Sequence, residues 1–377
     1  MNIQRKVAWI AGKVLLIIAS SPALPVYADG IRDSQWYLRR LGIAQSREIT
    51  TGGGILVAVI DTGVYPHRDV RRNLVDGIDE ATGSGNGMVD DVGHGTGMAS
   101  LIAGHGASRN SGILGIAPAA KILPVRVVKA DRNIPAPTMA KGIEWAATHK
   151  AKIINVSAGS GPAFELEDAI IFALRSDVVV IAAVGNSSGA AIISYPAALN
   201  GVLAVGATGR NGEYSPVSVK DPKVQICAPG VDITTARPKN SYVVADGTSA
   251  ATAIVSGAAA LVRARFPRLS AEEVIHRLTA TADDIGPPGR DDECGFGRLN
   301  IIKALTANVP PLTPSTTATP PTTASPTPPA SSASSARAAP QTTPTDSPGT
   351  AIAGILAGLV AAGGVVALLV ARRRRGY

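Results

Sequence analysis

Short apolar runs that stop abruptly at a polar residue or a glycine recur through the middle of the chain. Residues 55–60 run Ile-Leu-Val-Ala-Val-Ile into Asp61, and further runs lie at 121–127, 153–156, 178–184, 202–206 and 224–228. Runs this short, rich in Val and Ile and apolar at consecutive positions, predict strands buried on both faces. Between them, helical patterns cover 96–107, 138–149 and 165–176, and again the stretches near 249–266 and 270–280. Strands alternating with helices predict one α/β domain over residues 51–309, a doubly wound parallel sheet with helices on both faces. In such a sheet the site lies beyond the carboxyl ends of the strands. The polar residues that end each apolar run are therefore the place to look for chemistry.

Two apolar stretches break this rhythm, one at each end. Arg5 and Lys6 precede an apolar stretch over residues 7–19 that only Lys13 interrupts, and Val26-Tyr27-Ala28 offers small residues where a signal peptidase needs them. Residues 1–28 thus read as a secretory signal peptide cleaved after Ala28. An uncleaved anchor is the alternative, and the run is short for it. Residues 351–371 carry no charge and would span about 31 Å as a helix, the thickness of a bilayer's hydrocarbon. The four arginines Arg372–Arg375 follow at once, so residues 372–377 read as a basic cytoplasmic tail. The expected topology is a single-pass type I protein of the cell membrane, with its domain outside and its C-terminus inside. Residues 310–350 are almost wholly Pro, Ser, Thr and Ala, which builds no core and makes an extended linker.

Composition and charge narrow the function class. With 45% hydrophobic and 17% charged residues, most of the 377-residue chain can bury a core, which excludes full disorder. The net charge of +8 invites a nucleic-acid reading, but location removes it. Seven of the cations flank the two apolar end segments, leaving +1 for residues 29–309, so no nucleic-acid partner is expected. The two cysteines, Cys227 and Cys294, would lie outside the cell, where a pair can oxidise. Sequence alone leaves open whether they are bridged or are two small buried residues.

The candidate chemistry sits at strand–helix boundaries. Asp61-Thr62-Gly63 follows the first strand, Gly93-His94-Gly95-Thr96-Gly97 opens a small-residue helix, and Gly247-Thr248-Ser249-Ala250-Ala251 opens another. A serine hydroxyl needs an adjacent base to become a nucleophile. The base needs a buried carboxylate to fix its tautomer and to stabilise its cation. Asn186, in Val184-Gly185-Asn186-Ser187 at the end of a strand, can donate to an oxygen that turns negative during reaction. His67, His105, His149 and His276 lack the glycine-flanked setting of His94 and read as surface or structural residues. The acidic pairs Asp90-Asp91, Asp283-Asp284 and Asp291-Asp292 read as solvated loops rather than metal ligands.

These four motifs resemble those of the subtilisin-like serine proteases over nearly all of residues 50–305. Asp61, His94 and Ser249 match the family's Asp-Thr-Gly, His-Gly-Thr and Gly-Thr-Ser-x-Ala motifs in order and spacing, 33 and then 155 residues apart. The resemblance implies a catalytic triad, with Asn186 as the oxyanion donor. Ile154-Asn155-Val156-Ser157-Ala158-Gly159 resembles the family's substrate-pairing strand, which implies that Ser157 and Gly159 line the pocket beside the scissile bond. There are departures: Gly97 stands where the secreted relatives usually carry a second His, and Ala253-Ile254 replaces their Pro-His. The loop 107–112 lacks the family's strong calcium ligands, although Asp69 matches one acidic position. No obligatory metal and no cofactor are expected.

Ile31-Arg32-Asp33-Ser34-Gln35-Trp36-Tyr37-Leu38, within an N-terminal extension at 29–50, resembles the corresponding segment of the mycosins, membrane-anchored proteases of type VII secretion systems. The order of signal peptide, protease, Pro-rich linker, span and basic tail is similar too. About 22 residues precede the domain after Ala28, too few for a long folding prodomain. The resemblance implies a tethered endopeptidase that processes secreted proteins beside a secretion channel. Two alternatives remain at this stage. One is a scaffold that stabilises the channel with incidental proteolysis, and the other is an independent surface protease.

Overall fold

The computed structural model describes residues 30–108, 110–129, 134–187 and 192–312. The expected signal peptide, transmembrane span and cytoplasmic tail, with nearly all of the linker, lie outside these residues. Among the described residues no helix is long and apolar enough to cross a membrane.

Three short helices open the described chain: α1 (Ile31–Ser34), α2 (Trp36–Arg40) and α3 (Ile43–Ile49). Then come β1 (Leu56–Asp61), β2 (Ile78–Asp79), α4 (His94–Ala103), β3 (Lys121–Arg126), α5 (Ala136–Thr148), β4 (Ile153–Val156) and α6 (Phe164–Arg175). The second half continues with β5 (Val179–Ala183), β6 (Leu203–Thr208), β7 (Ile226–Pro229), β8 (Ile233–Arg237), β9 (Ser241–Ala245), α7 (Thr248–Arg265), α8 (Ala271–Ala280) and α9 (Ile301–Thr306).

Seven strands form one parallel sheet in the order β2-β3-β1-β4-β5-β6-β7. The consecutive apolar residues of each run divide between its two faces. On β1, Val57 and Val59 join the core beneath α4, α7 and α8, while Ala58 and Ile60 join the opposite core beneath α5 and α6. Strand β1 lies between β3 and β4, so the chain winds away from it in both directions. Asp61, the last residue of β1, thus opens into the crevice where an open α/β sheet places its ligands.

Of the extension, residues 30–50 are described and pack into the core beneath α4, α7 and α8, with Tyr37, Leu41 and Ile43 buried there. Gln35 fixes its path by donating to the Leu114 carbonyl (3.0 Å) and accepting from the Leu114 N–H (2.8 Å). Helix α7 is buried almost along its length, because its Ala, Gly and Ser residues let it lie close against the sheet.

Three details differ from the sequence reading. Helix α4 starts at His94 rather than at 96 and stops at Ala103 rather than at 107, because Gly104 turns to extended backbone (φ −59°, ψ 128°). Strand β2 has only two residues, too few for a pattern. Strands β8 and β9 pair as an antiparallel hairpin outside the main sheet, and the exposure of β9 leaves no apolar run to read.

Cys227, on β7, is bridged to Cys294 on the loop that returns to the same edge. The Cys227 N–H donates to the Gly297 carbonyl (3.0 Å) and the Leu299 N–H donates to the Cys227 carbonyl (2.8 Å), so the bridge ties two paired segments together. The two residues are 67 apart in sequence, a loop whose closure in the unfolded chain is worth about 4 kcal/mol in the chain-entropy model. Urea unfolding with and without reductant is expected to show a loss of about this size.

Candidate active site

The site is assembled from the carboxyl ends of β1, β4 and β5 and the first turns of α4 and α7. Asp61 is fully buried at the end of β1, and one carboxylate oxygen accepts from the Thr62 N–H (2.7 Å). His94 opens α4 and turns Nδ1 onto both oxygens of Asp61, at 2.8 and 2.9 Å. The His94 side chain keeps about a third of its surface open, so one edge of the ring faces solvent. Burial works against charging this ring. The charge and hydrogen bond of Asp61, with Asp90 behind it, outweigh burial and hold the His94 pKa above its ordinary value.

Two glycines make this approach feasible. Gly93 sits in the left-handed region (φ +85°), where a side chain would be strained. At Gly95 a Cβ would fall 2.1 Å from the Gly63 carbonyl oxygen, so only glycine lets the helix meet the turn after β1.

Asp90 holds the turn before His94 in place. Its carboxylate accepts from the N–H groups of Val92 (3.1 Å), Gly93 (2.6 Å) and Thr96 (2.9 Å) and from the hydroxyls of Thr62 (2.8 Å) and Thr96 (2.5 Å). The Thr62 hydroxyl in turn accepts from the Gly95 N–H (3.0 Å). The strand that carries Asp61 and the helix that carries His94 are thereby locked to one buried carboxylate at a helix N-terminus, where negative charge is favoured. Asp90 is thus a buried organiser and not the solvated loop residue that its acidic neighbour suggested. The available signal was its place four residues before His94, at the entry to a helix.

Ser249 is the second residue of α7. Its hydroxyl donates to the Ser157 carbonyl oxygen (2.6 Å), and the Ser157 hydroxyl donates to the Ser249 carbonyl (3.0 Å). Ser249 is therefore turned toward β4 rather than bonded to His94, the loose arrangement common in sites without substrate. Asn186, just after β5, accepts through Oδ1 from the Thr248 N–H (3.0 Å) and the Thr248 hydroxyl (3.1 Å). This orients the amide and leaves Nδ2 as its donor, 3.3 Å from where a Cβ on Gly247 would lie.

Asp61, His94, Ser249, Asn186, Ser157 and Gly159 all line one cleft of about 400 Å³. Ser194, for which the sequence held no motif, fills the floor between Gly159 and Gly185. A Cβ on either glycine would come within 2.9 or 2.6 Å of its side chain.

The remaining candidates lie elsewhere. His67 is buried, and its Nδ1 accepts from the Asp69 N–H (3.1 Å). His105 contacts Arg72, and His149 stacks on Trp145. Asp91 pairs with Arg126 (2.9 Å), and Asp283 takes Arg298 (3.3 Å) and Lys303 (2.8 Å). Asp69 accepts from the Ile113 N–H (2.7 Å) and the Tyr242 hydroxyl (2.9 Å). Among the described residues no group of three His, Cys, Asp or Glu side chains is placed to hold a metal ion.

A buried carboxylate, an imidazole held by it, a serine at a helix start and an oriented amide around one cleft are the parts of a serine hydrolase. Residues 52–297 match the Subtilase family. The chain belongs to that family. It is a subtilisin-like serine protease. Subtilisin BL of Lederbergia lenta is 40% identical over 238 residues, which cover 63% of this chain and 86% of that protein. Among solved structures the subtilase resembles a serine protease MycP1, described as an essential component of the type VII (ESX-1) secretion system. That likeness has a TM-score of 0.66 and 33% identity, and it covers 75% of this chain and 92% of the other. It also resembles a chain of the periplasmic assembly of the ESX-5 inner membrane complex, with a TM-score of 0.66, 30% identity and coverage of 78% and 90%.

Proposed function

We propose that this subtilase is a membrane-anchored extracellular endopeptidase that works beside a type VII secretion channel and processes secreted proteins. Its catalytic part rests on one observation: His94 Nδ1 is held by Asp61 at the mouth of the cleft that Ser249 and Asn186 also line. Substrate binding turns the Ser249 hydroxyl from the Ser157 carbonyl toward His94. The oxygen attacks the peptide carbonyl as the unbonded nitrogen of His94 takes its proton, and Asp61 stabilises the imidazolium. The Asn186 amide and the Ser249 N–H hold the oxyanion. His94 then gives the proton to the departing amine, leaving an acyl group on Ser249. A water, deprotonated by His94, repeats the attack and frees the acid. Ser157 and Gly159 line the path of the substrate backbone.

Anchoring rests on the sequence: the uncharged stretch 351–371, the arginines behind it and the leader at 1–28. The type VII association rests on the likeness to MycP1 and to the ESX-5 assembly chain. The second likeness also favours a structural contribution, in which the subtilase stabilises the channel as a component. The two roles separate in cells. If both hold, Ser249→Ala cells secrete while cells lacking the whole gene do not. Equal secretion defects at equal protein levels would leave proteolysis alone. Co-purification after detergent extraction tests the association itself, and recovery of the subtilase without channel components would count against it.

A further inference from the structure

The cleft carries a cation that the catalytic scheme does not use. Arg237 ends β8 and, among the described residues, is the one Lys or Arg lining the cleft. Its Nη1 donates to the Val92 carbonyl. Its Cδ lies 2.5 Å from where a Cβ on Gly93 would be, directly before His94. No carboxylate among the described residues forms an ion pair with Arg237. Asp61 is taken by His94 and Asp91 by Arg126, while Asp246, which also lines the cleft, accepts from the Asp232 N–H and keeps its charge. The rest of the guanidinium fork keeps its donors. One bond to Val92 fixes its position, which lowers the entropy cost of binding an anion there.

The contacts of Arg237 place it beside the reacting groups. Ser157, Gly159, Gly185 and Ser194 line the same cleft. Thr235 and Arg237 on β8, against Gly97 and Gly93 of the His94 segment, line it too, as do Ala245 at the end of β9 and Asp246 after it. The charge of Arg237 is felt at the His94 ring, where it opposes protonation, which places it within electrostatic reach of the scissile bond.

We propose that Arg237 is a specificity-determining residue that selects substrates with an aspartate or glutamate close to the scissile bond. The inference rests on the endopeptidase reading above and adds a substrate class to it. A guanidinium with open donors meets a carboxylate through short, charge-assisted hydrogen bonds, and an amide of the same shape gains less.

The test is cleavage profiling of the purified protein with a peptide library. Paired peptides that differ only by Glu or Gln at each of the first three positions on either side of the cleaved bond then quantify the preference. At one of these positions the parent is expected to show a Glu/Gln ratio in kcat/KM of about tenfold. The ratio is expected to fall to near one in Arg237→Gln, to stay above one in Arg237→Lys and to drop below one in Arg237→Glu. Raising the salt tenfold is expected to shrink it in the parent. Ser249 labelling by a serine-directed phosphonate checks that each variant keeps its site. A ratio of one in the parent, or a preference unaltered in Arg237→Gln, overturns the inference while hydrolysis stands. A parent that cleaves no peptide and takes no label overturns the endopeptidase reading, and this inference with it.

Discussion

Replacing Ser249 by alanine is expected to lower peptide hydrolysis by about six orders of magnitude, the scale at which a serine hydrolase loses its nucleophile. The same change is expected to leave the fold intact. Among the described residues the Ser249 side chain makes a single hydrogen bond, to the Ser157 carbonyl, and alanine suits the start of α7 as well as serine does. The thermal midpoint of the variant should therefore stay within a few degrees of the parent's. Hydrolysis by the purified variant at the parent's rate would mean that another group attacks the substrate. Loss of activity together with loss of the cooperative thermal transition would make Ser249 a structural residue.

Asp61→Asn is expected to lower kcat by about four orders of magnitude while leaving the cleft in place. The carboxylate accepts from His94 Nδ1 and opposes the burial that disfavours a charged ring. An amide accepts more weakly, carries no charge and allows the wrong tautomer. The pH profile shows the same cause. In the proposed mechanism His94 acts as a base only when neutral, and its pKa is held above the ordinary 6.5. In the parent, kcat/KM is therefore expected to rise with pH through a midpoint above 6.5. In Asp61→Asn the larger raising influence is gone and burial remains, so the midpoint moves down. The sign for stability follows from the same shift. The charged ring is favoured in the folded state, so the His94–Asp61 pair adds stability that is complete below the unfolded His pKa. That contribution is lost as pH rises through the raised folded value. An acid limb that does not move in Asp61→Asn would assign it to another group.

Much of this site was legible because its chemistry lies at the ends of strands that the sequence marks plainly. The run 55–60 is apolar at every position because β1 is covered on both faces, and Asp61 is the first residue to break it. The glycines around His94 and before Ser249 are legible for a similar reason, since close backbone approach excludes other residues. What escaped lacks such a pattern. Asp90 shares its sequence appearance with solvated acidic pairs, and only the fold shows that its carboxylate turns inward onto five donors. The β8–β9 hairpin escaped because β9 is largely exposed. Arg237 and Ser194 reach the cleft from segments 143 residues after His94 and 55 residues before Ser249, separations that no local spacing encodes. The Cys227–Cys294 pairing was open for the same reason, because sequence gives a separation of 67 residues and not the 5.0 Å between their Cα atoms.

The most direct test of the central claim is to map where a serine-directed phosphonate attaches. The purified protein is treated with the reagent, digested, and its adduct located by mass spectrometry across a range of pH. The account expects one adduct per chain, on Ser249, forming faster as pH rises through the His94 midpoint and much more slowly in Asp61→Asn. An adduct on any other residue, or labelling of Ser249 that ignores both pH and Asp61, would contradict it.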